Sequence, residues 1–135
     1  MIGAATALYK TTGNSDYLLK AKLIVSFMLN NETVTTQYGQ TLTDGGDSQC
    51  GGDCQQFKGP AYRYLAYYFK VTQDMNIYKV LKSSVDSAWM LGRNSQSGFY
   101  GTNWAGPEPQ LTDTEHLAQM TAATMSLSIF QGLCK

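Results

Sequence analysis

"LYKTTGNSDYLLKAK", residues 8–22, and "YFKVTQDMNIYKVLK", residues 68–82, share one plan: the end of a helix, a short polar turn and the start of another helix. A repeat of this kind restricts the chain to an all-α fold class built from α-helical hairpin repeats. Each hairpin has an apolar face that only a neighbouring hairpin can cover.

The apolar spacing supplies the helices around these two turns. Ile2, Ala5, Leu8 and Tyr9 stand at helical intervals, and "TTGN" then provides a Gly turn with an Asn or Ser able to cap the second helix. From Asp16 to about Asn30, Tyr17, Leu18, Ala21, Ile24, Val25 and Met28 form a stripe, with Lys20 and Lys22 on the solvated side. A third helix is predicted to begin near Gly59-Pro60, with Tyr64, Leu65, Tyr68 and Phe69 as its inner face. Ile77, Val80, Leu81, Val85, Ala88 and Trp89 place a fourth between Met75 and Leu91, and Asp113 caps a fifth that carries Leu117, Met120, Thr124, Leu127 and Phe130.

Two long loops interrupt the helices. Residues 32–53, with the Thr-rich run "ETVTTQYGQTLTDGG", read as a short hairpin or a long irregular loop. The second loop, "GRNSQSGFYGTNWAGPEPQLT", is rich in Gly and Pro. Loops this long on a helical scaffold are where sites are built. The helix count is odd, and Met1 stands inside a helical pattern with no capping residue before it. The expected organisation is therefore a single partial domain over residues 1–135, cut at its N-terminal side.

Composition removes several function classes. Ten basic and ten acidic residues cancel, so no basic field exists to hold nucleic acid. No stretch approaches the roughly 20 apolar residues of a membrane-spanning helix. No serine occupies a nucleophile elbow, and neither glycine-rich segment matches a phosphate-binding or dinucleotide fingerprint. No cofactor is expected.

The remaining chemistry lies in the loops. Zinc at Cys50 and Cys54 would need two more ligands from His116 and the distant Cys134, so no metal site is expected. A Cys50–Cys54 disulfide closing the Gly-Gly-Asp turn suits a secreted protein, whereas separate thiols suit a cytosolic one. Asn31-Glu32-Thr33 is a glycosylation sequon and favours the first. His116 reads as a solvated or capping residue near the start of the last helix. Asp44, Asp47, Asp53 and Glu108 are loop carboxylates whose spacing singles out no acid and base pair. Phe99, Tyr100 and Trp104 either stack on a sugar ring or anchor their own loop.

"CGGDCQQFKGPAYRYLAYYF", followed by "SAWMLGRNSQSGFYGTNWAGP" and "TDTEHLAQMTAA", resembles glycoside hydrolase family 76, the endo-α-1,6-mannanases and their fungal cell-wall relatives. Gln55, Gln56, Phe57, Lys58, Gly59, Arg63, Tyr64, Leu65 and Ala66 echo the family's "QxFKGxxxRYLAYL"-like helix, and Ser87 to Trp89 and Asn103 to Pro107 follow in the family's order. Pro60 departs from the bulky apolar residue common there. The resemblance implies a contiguous arc of an (α/α)6 barrel, corresponding to the C-terminal part of the domain. It also implies that Asp53, Gln56 and Lys58 on one loop, and Tyr100, Asn103 and Trp104 on the other, line a cleft for α-mannan or a related cell-wall polysaccharide.

The family's catalytic centre is an adjacent Asp-Asp pair, and this sequence has none. The expectation is a fragment of a glycoside hydrolase, inactive alone, from an extracellular or cell-wall enzyme performing endo-hydrolysis or transglycosylation. The alternative is a non-catalytic helical module that binds a glycan or a protein. An open arc exposes apolar faces, so self-association is a further expectation.

Overall fold

The computed structural model describes residues 1–43, 57–106 and 113–133, with side chains from residue 120 onward in the last helix. Five helices and one hairpin succeed one another in order: α1 (Ile2–Thr12), α2 (Ser15–Asn31), β1 (Thr33–Thr36), β2 (Gly39–Leu42), α3 (Lys58–Thr72), α4 (Met75–Met90) and α5 (Asp113–Leu133). The fold is all-α with a small two-stranded sheet.

The sequence repeat is a repeat of hydrogen bonds. At the first turn the Thr12 hydroxyl donates to the Leu8 carbonyl at 2.7 Å, the Gly13 N–H to Tyr9 O at 2.8 Å, and the Asp16 N–H to Asn14 Oδ1 at 2.9 Å. At the second turn Thr72 donates to Tyr68 O at 3.1 Å, the Gln73 N–H to Phe69 O at 2.7 Å, and the Asn76 N–H to Asp74 Oδ1 at 2.9 Å. Each turn ends a helix with a left-handed residue, Gly13 at φ 71° or Gln73 at φ 55°, and starts the next with a side-chain cap.

Helix α3 is the centre of the arrangement. It packs on α1, α4 and α5, while α2 packs on α1, and α5 also meets α4. The helices α1, α3 and α5 thus lie side by side, with α2 and α4 behind them, the alternating order expected for an arc of an (α/α)6 barrel. Gly59 permits the close approach of α3 to α5: a Cβ there would lie 3.3 Å from the Ala122 Cα and 2.8 Å from Met125 Cε.

The core follows the predicted stripes with three corrections. Tyr62, Leu65, Ala66, Tyr68 and Phe69 form the buried face of α3, and the Tyr62 hydroxyl donates to Leu81 O of α4 at 3.0 Å. Burial of a large apolar side chain such as Leu65 or Phe69 contributes about 1.5–3 kcal/mol. Tyr64, expected on that face, is exposed because it sits at the edge of α3, where its ring covers Gly3 of α1. Leu8 is exposed, and so is Trp89, whose ring lies 3.9 Å from the Arg93 guanidinium carbon rather than inside the core. Leu117 has no described side chain.

Of the two readings of the Thr-rich run, the hairpin is the one adopted. β1 pairs antiparallel with β2 in the register Thr33↔Leu42 to Thr36↔Gly39. The outer edge of β2 is fastened to buried serines of α4: the Leu42 N–H donates to Ser84 Oγ at 3.0 Å, and Ser83 Oγ donates to Gln40 O. Hydrogen bonds to serine here satisfy strand groups that would otherwise be buried without partners.

Candidate functional site

The two short turns lie at one end of the helical array, and the opposite helix ends lie at the other. The N-termini of α3 and α5 and the C-termini of α2 and α4 share that end, together with the hairpin and the segment 91–106. The described parts of the two sequence-predicted loops, the hairpin and the segment 91–106, therefore lie beside each other.

Segment 91–106 is built from its own polar groups. Arg93 and Tyr100 form an antiparallel bridge, the Asn94 N–H donates to Phe99 O at 2.8 Å, and the Gly101 N–H to Gly92 O at 2.8 Å. Asn94 Oδ1 closes the tip by accepting from the Gln96 and Ser97 N–H groups, both at 2.9 Å. A second turn follows at Asn103, whose Oδ1 accepts from the Ala105 N–H at 3.0 Å and whose Nδ2 donates to Gly106 O at 2.9 Å. The Asn103 amide thus shapes the loop.

Trp104 stands within this second turn and is 0% exposed. Its carbonyl accepts from Ser87 Oγ of α4 at 2.9 Å, and its ring lies under Lys58 of α3, with Nζ 5.8 Å from the ring centre. Lys58 is 1% exposed, its stem packed and its cation over an aromatic face. Trp104 Nε1–H finds no acceptor among the described residues. Tyr100 is also buried, which pushes its hydroxyl pKa up, while the neighbouring Arg93 charge partly offsets that shift.

Lys58, Tyr100, Asn103 and Trp104 are therefore all at the loop end, and Lys58 and Trp104 touch. Tyr100 and Trp104 are core residues of the loop, and Phe99 is the exposed aromatic of the three. Asp53, Gln56, Cys50 and Cys54 lie outside the described residues, as do Asp44, Asp47, Glu108 and Cys134; the side chains of Asp113 and His116 do too. Asn31 ends α2 exposed to solvent, with its Nδ2 donating to Phe27 O at 2.8 Å. No His, Cys, Asp and Glu cluster able to hold a metal occurs among the described residues.

Two concavities flank the site. One of about 370 Å³ is lined by Phe27, Met28, Glu32, Leu42, Phe57 and Lys58. Another of about 400 Å³ lies between the hairpin and the Asn103 turn. Residue-type reasoning missed the contribution of Ser87 and Arg93: a serine next to Ala-Trp carries no mark of the carbonyl it will hold. The available signals were the place of Ser87 to Trp89 in the family's motif order and the position of Ser87 in the last turn of α4, beside the loop.

A sequence model described as glycosyl hydrolase family 76 matches residues 1–133. No curated protein sequence matches the chain significantly. The fold is similar to that of a solved structure, the Lin0763 protein from Listeria innocua, with a TM-score of 0.74 and 24% sequence identity. That match covers 97% of this chain and 36% of the solved one, so the chain spans well under half the length of the protein it resembles.

Proposed function

The chain belongs to glycosyl hydrolase family 76, and on that premise we propose that it forms one side of a cleft for α-1,6-linked mannan, without the groups that break the glycosidic bond. One observation carries this reading: Lys58 and Trp104, from two separate sequence motifs, meet at the end of the helical array that also holds the hairpin and the segment 91–106. The buried pair holds the second loop against the start of α3, giving a polysaccharide a fixed wall rather than a mobile loop.

Hydrolysis of a glycoside requires a carboxylic acid to protonate the leaving oxygen and a second carboxylate as base or nucleophile. The sequence has no adjacent Asp-Asp pair, so in this reading both groups come from polypeptide beyond these 135 residues. Endo-hydrolysis, or transfer to a sugar hydroxyl, is then a property of the completed domain. Asp53 and Gln56 belong to the same proposed wall. Export to the extracellular space or cell wall, a glycan at Asn31 and a Cys50–Cys54 disulfide complete the reading, supported by the sequon and the cysteine spacing.

Leu19, Leu23 and Phe27 line one face of α2 at exposures of 59, 65 and 62%. Apolar side chains at this spacing form a continuous stripe, and in the isolated chain we expect it to drive self-association.

The test is release of reducing sugar from α-1,6-mannan, with a full-length family member as positive control, together with affinity electrophoresis and size-exclusion chromatography of the chain. Retardation by mannan without turnover is the expected result. Turnover by the chain alone would overturn the division of labour, and absence of retardation would overturn the substrate surface.

A further inference from the structure

The cavity between the hairpin and the Asn103 turn has one polar wall and one that is largely apolar. Val34, Thr35, Thr36 and Gln37 all line it. Successive side chains of a strand point to opposite faces, so consecutive residues can line one cavity only if the open edge of β1 and its turn face it.

The register shows which backbone groups that edge offers. The Thr43 N–H donates to Glu32 O at 2.9 Å, which makes Val34–Thr41 and Thr36–Gly39 the hydrogen-bonded pairs. The N–H and C=O of Thr35 then point away from β2. The other strand confirms the phase, because Gln40 and Leu42 turn their groups outward to Ser83 and Ser84. Among the described residues, the Thr35 backbone has no partner on this edge, and the side chains of Thr35 and Gln37 make no hydrogen bond. Both side chains are exposed.

The facing wall differs. Asn103 and Gly106 bond to each other at 2.9 Å, and Leu91 and Ala105 present carbon. A donor and acceptor edge opposite an apolar surface suits a pyranose, which has hydroxyls around its rim and C–H groups on its face. A volume of about 400 Å³ lies in the range of small-ligand sites, roughly 300–1,000 Å³. An extended peptide would need a longer ladder than the single outward pair at Thr35 beside the turn supplies.

We propose that this cavity is a sugar-binding subsite, in which Thr35 and Gln37 take up the hydroxyls of one mannosyl residue and Leu91 and Ala105 cover its face. The inference rests on the mannan reading above and adds to it a binding element, the hairpin edge, that the loop aromatics do not provide.

Titration of the ¹⁵N-labelled 135-residue chain with α-1,6-mannotriose, monitored by amide chemical shifts, tests it. Perturbation centred on Thr35, Gln37, Ala105 and Gly106 is expected. Replacing Thr35→Val and Gln37→Leu together should weaken binding about ten-fold, since two hydrogen bonds are removed at roughly constant shape. Both residues are exposed, and an unchanged circular dichroism spectrum and melting temperature verify that the fold is retained. Perturbation confined to other residues, or unaltered affinity in the double variant, overturns the subsite and leaves the mannan reading standing. No perturbation anywhere overturns both. An extended peptide that binds this edge in preference to the trisaccharide also overturns the assignment.

Discussion

Lys58 Nζ stands 5.8 Å from the centre of the Trp104 ring, and the two side chains are 1% and 0% exposed. A lysine buried in this way ties the first turn of α3 to the loop that follows α4. The seating of that loop is a tertiary property, shared with the Ser87 hydroxyl that donates to the Trp104 carbonyl.

That contact should be measurable as a coupling. Lys58→Met keeps most of the stem but removes the charge, and Trp104→Leu removes the aromatic face. In a double-mutant cycle by urea denaturation, the two substitutions should show an interaction energy of about 1–2 kcal/mol, between the values for exposed and desolvated cation–π pairs. Additive single effects would mean that Lys58 is held by other groups and that the ring is only a neighbour.

The hairpin depends on α4 in the same non-local way. In Ser84→Ala the buried Leu42 N–H loses its acceptor, which should cost about 1–3 kcal/mol. Hydrogen exchange at Leu42 should accelerate more than exchange at Leu65 or Leu81, because the break is confined to the strand's attachment. Equal acceleration throughout would show that hairpin and helices open as one unit.

These contacts explain which parts of the fold were legible in the sequence. The two interhelical turns were, because their caps and left-handed residues use groups within a few positions of one another. The hairpin remained an open choice: "TVTT" alternates weakly, and its docking is decided by Ser83 and Ser84 in another element. Tyr64 and Trp89 have helical apolar spacing like their buried neighbours, and only the placement of Gly3 and Arg93 determines that they stay outside. For Trp104 the residue type allowed both a sugar platform and an anchor. Its burial depends on Lys58 and Ser87, which no local pattern connects to it.

High pH should weaken the protein through two buried tyrosines. Burial raises the Tyr68 pKa above its ordinary value of 10.0 and the Asp74 charge adds to the shift; burial also raises that of Tyr100. A raised pKa in the folded state means that the neutral phenol is favoured by folding. This stability is fully present below pH 10 and is lost as the pH rises through the folded-state values. Between pH 9 and 11 the urea midpoint should fall, and fall less in Tyr68→Phe and Tyr100→Phe, each of which lacks one of the two phenols. An equal fall in all three would show that neither phenol contributes.

Gln73 occupies in the second turn the place that Gly13 occupies in the first, at φ 55° against 71°. A side chain in the left-handed region costs roughly 1–2 kcal/mol, a cost glycine does not incur. Gln73 recovers part of it, because its Nε2 donates to Lys70 O at 3.1 Å and closes the end of α3. That bond is exposed and competes with water, so its net contribution is the smaller of the two. Gln73→Gly should therefore stabilise the chain by about 0.5–1 kcal/mol, seen as a higher urea midpoint at unchanged slope. In Gln73→Ala, which keeps the Cβ and loses the amide, the midpoint should fall. A loss of stability in both variants would show that the side-chain cap outweighs the backbone strain.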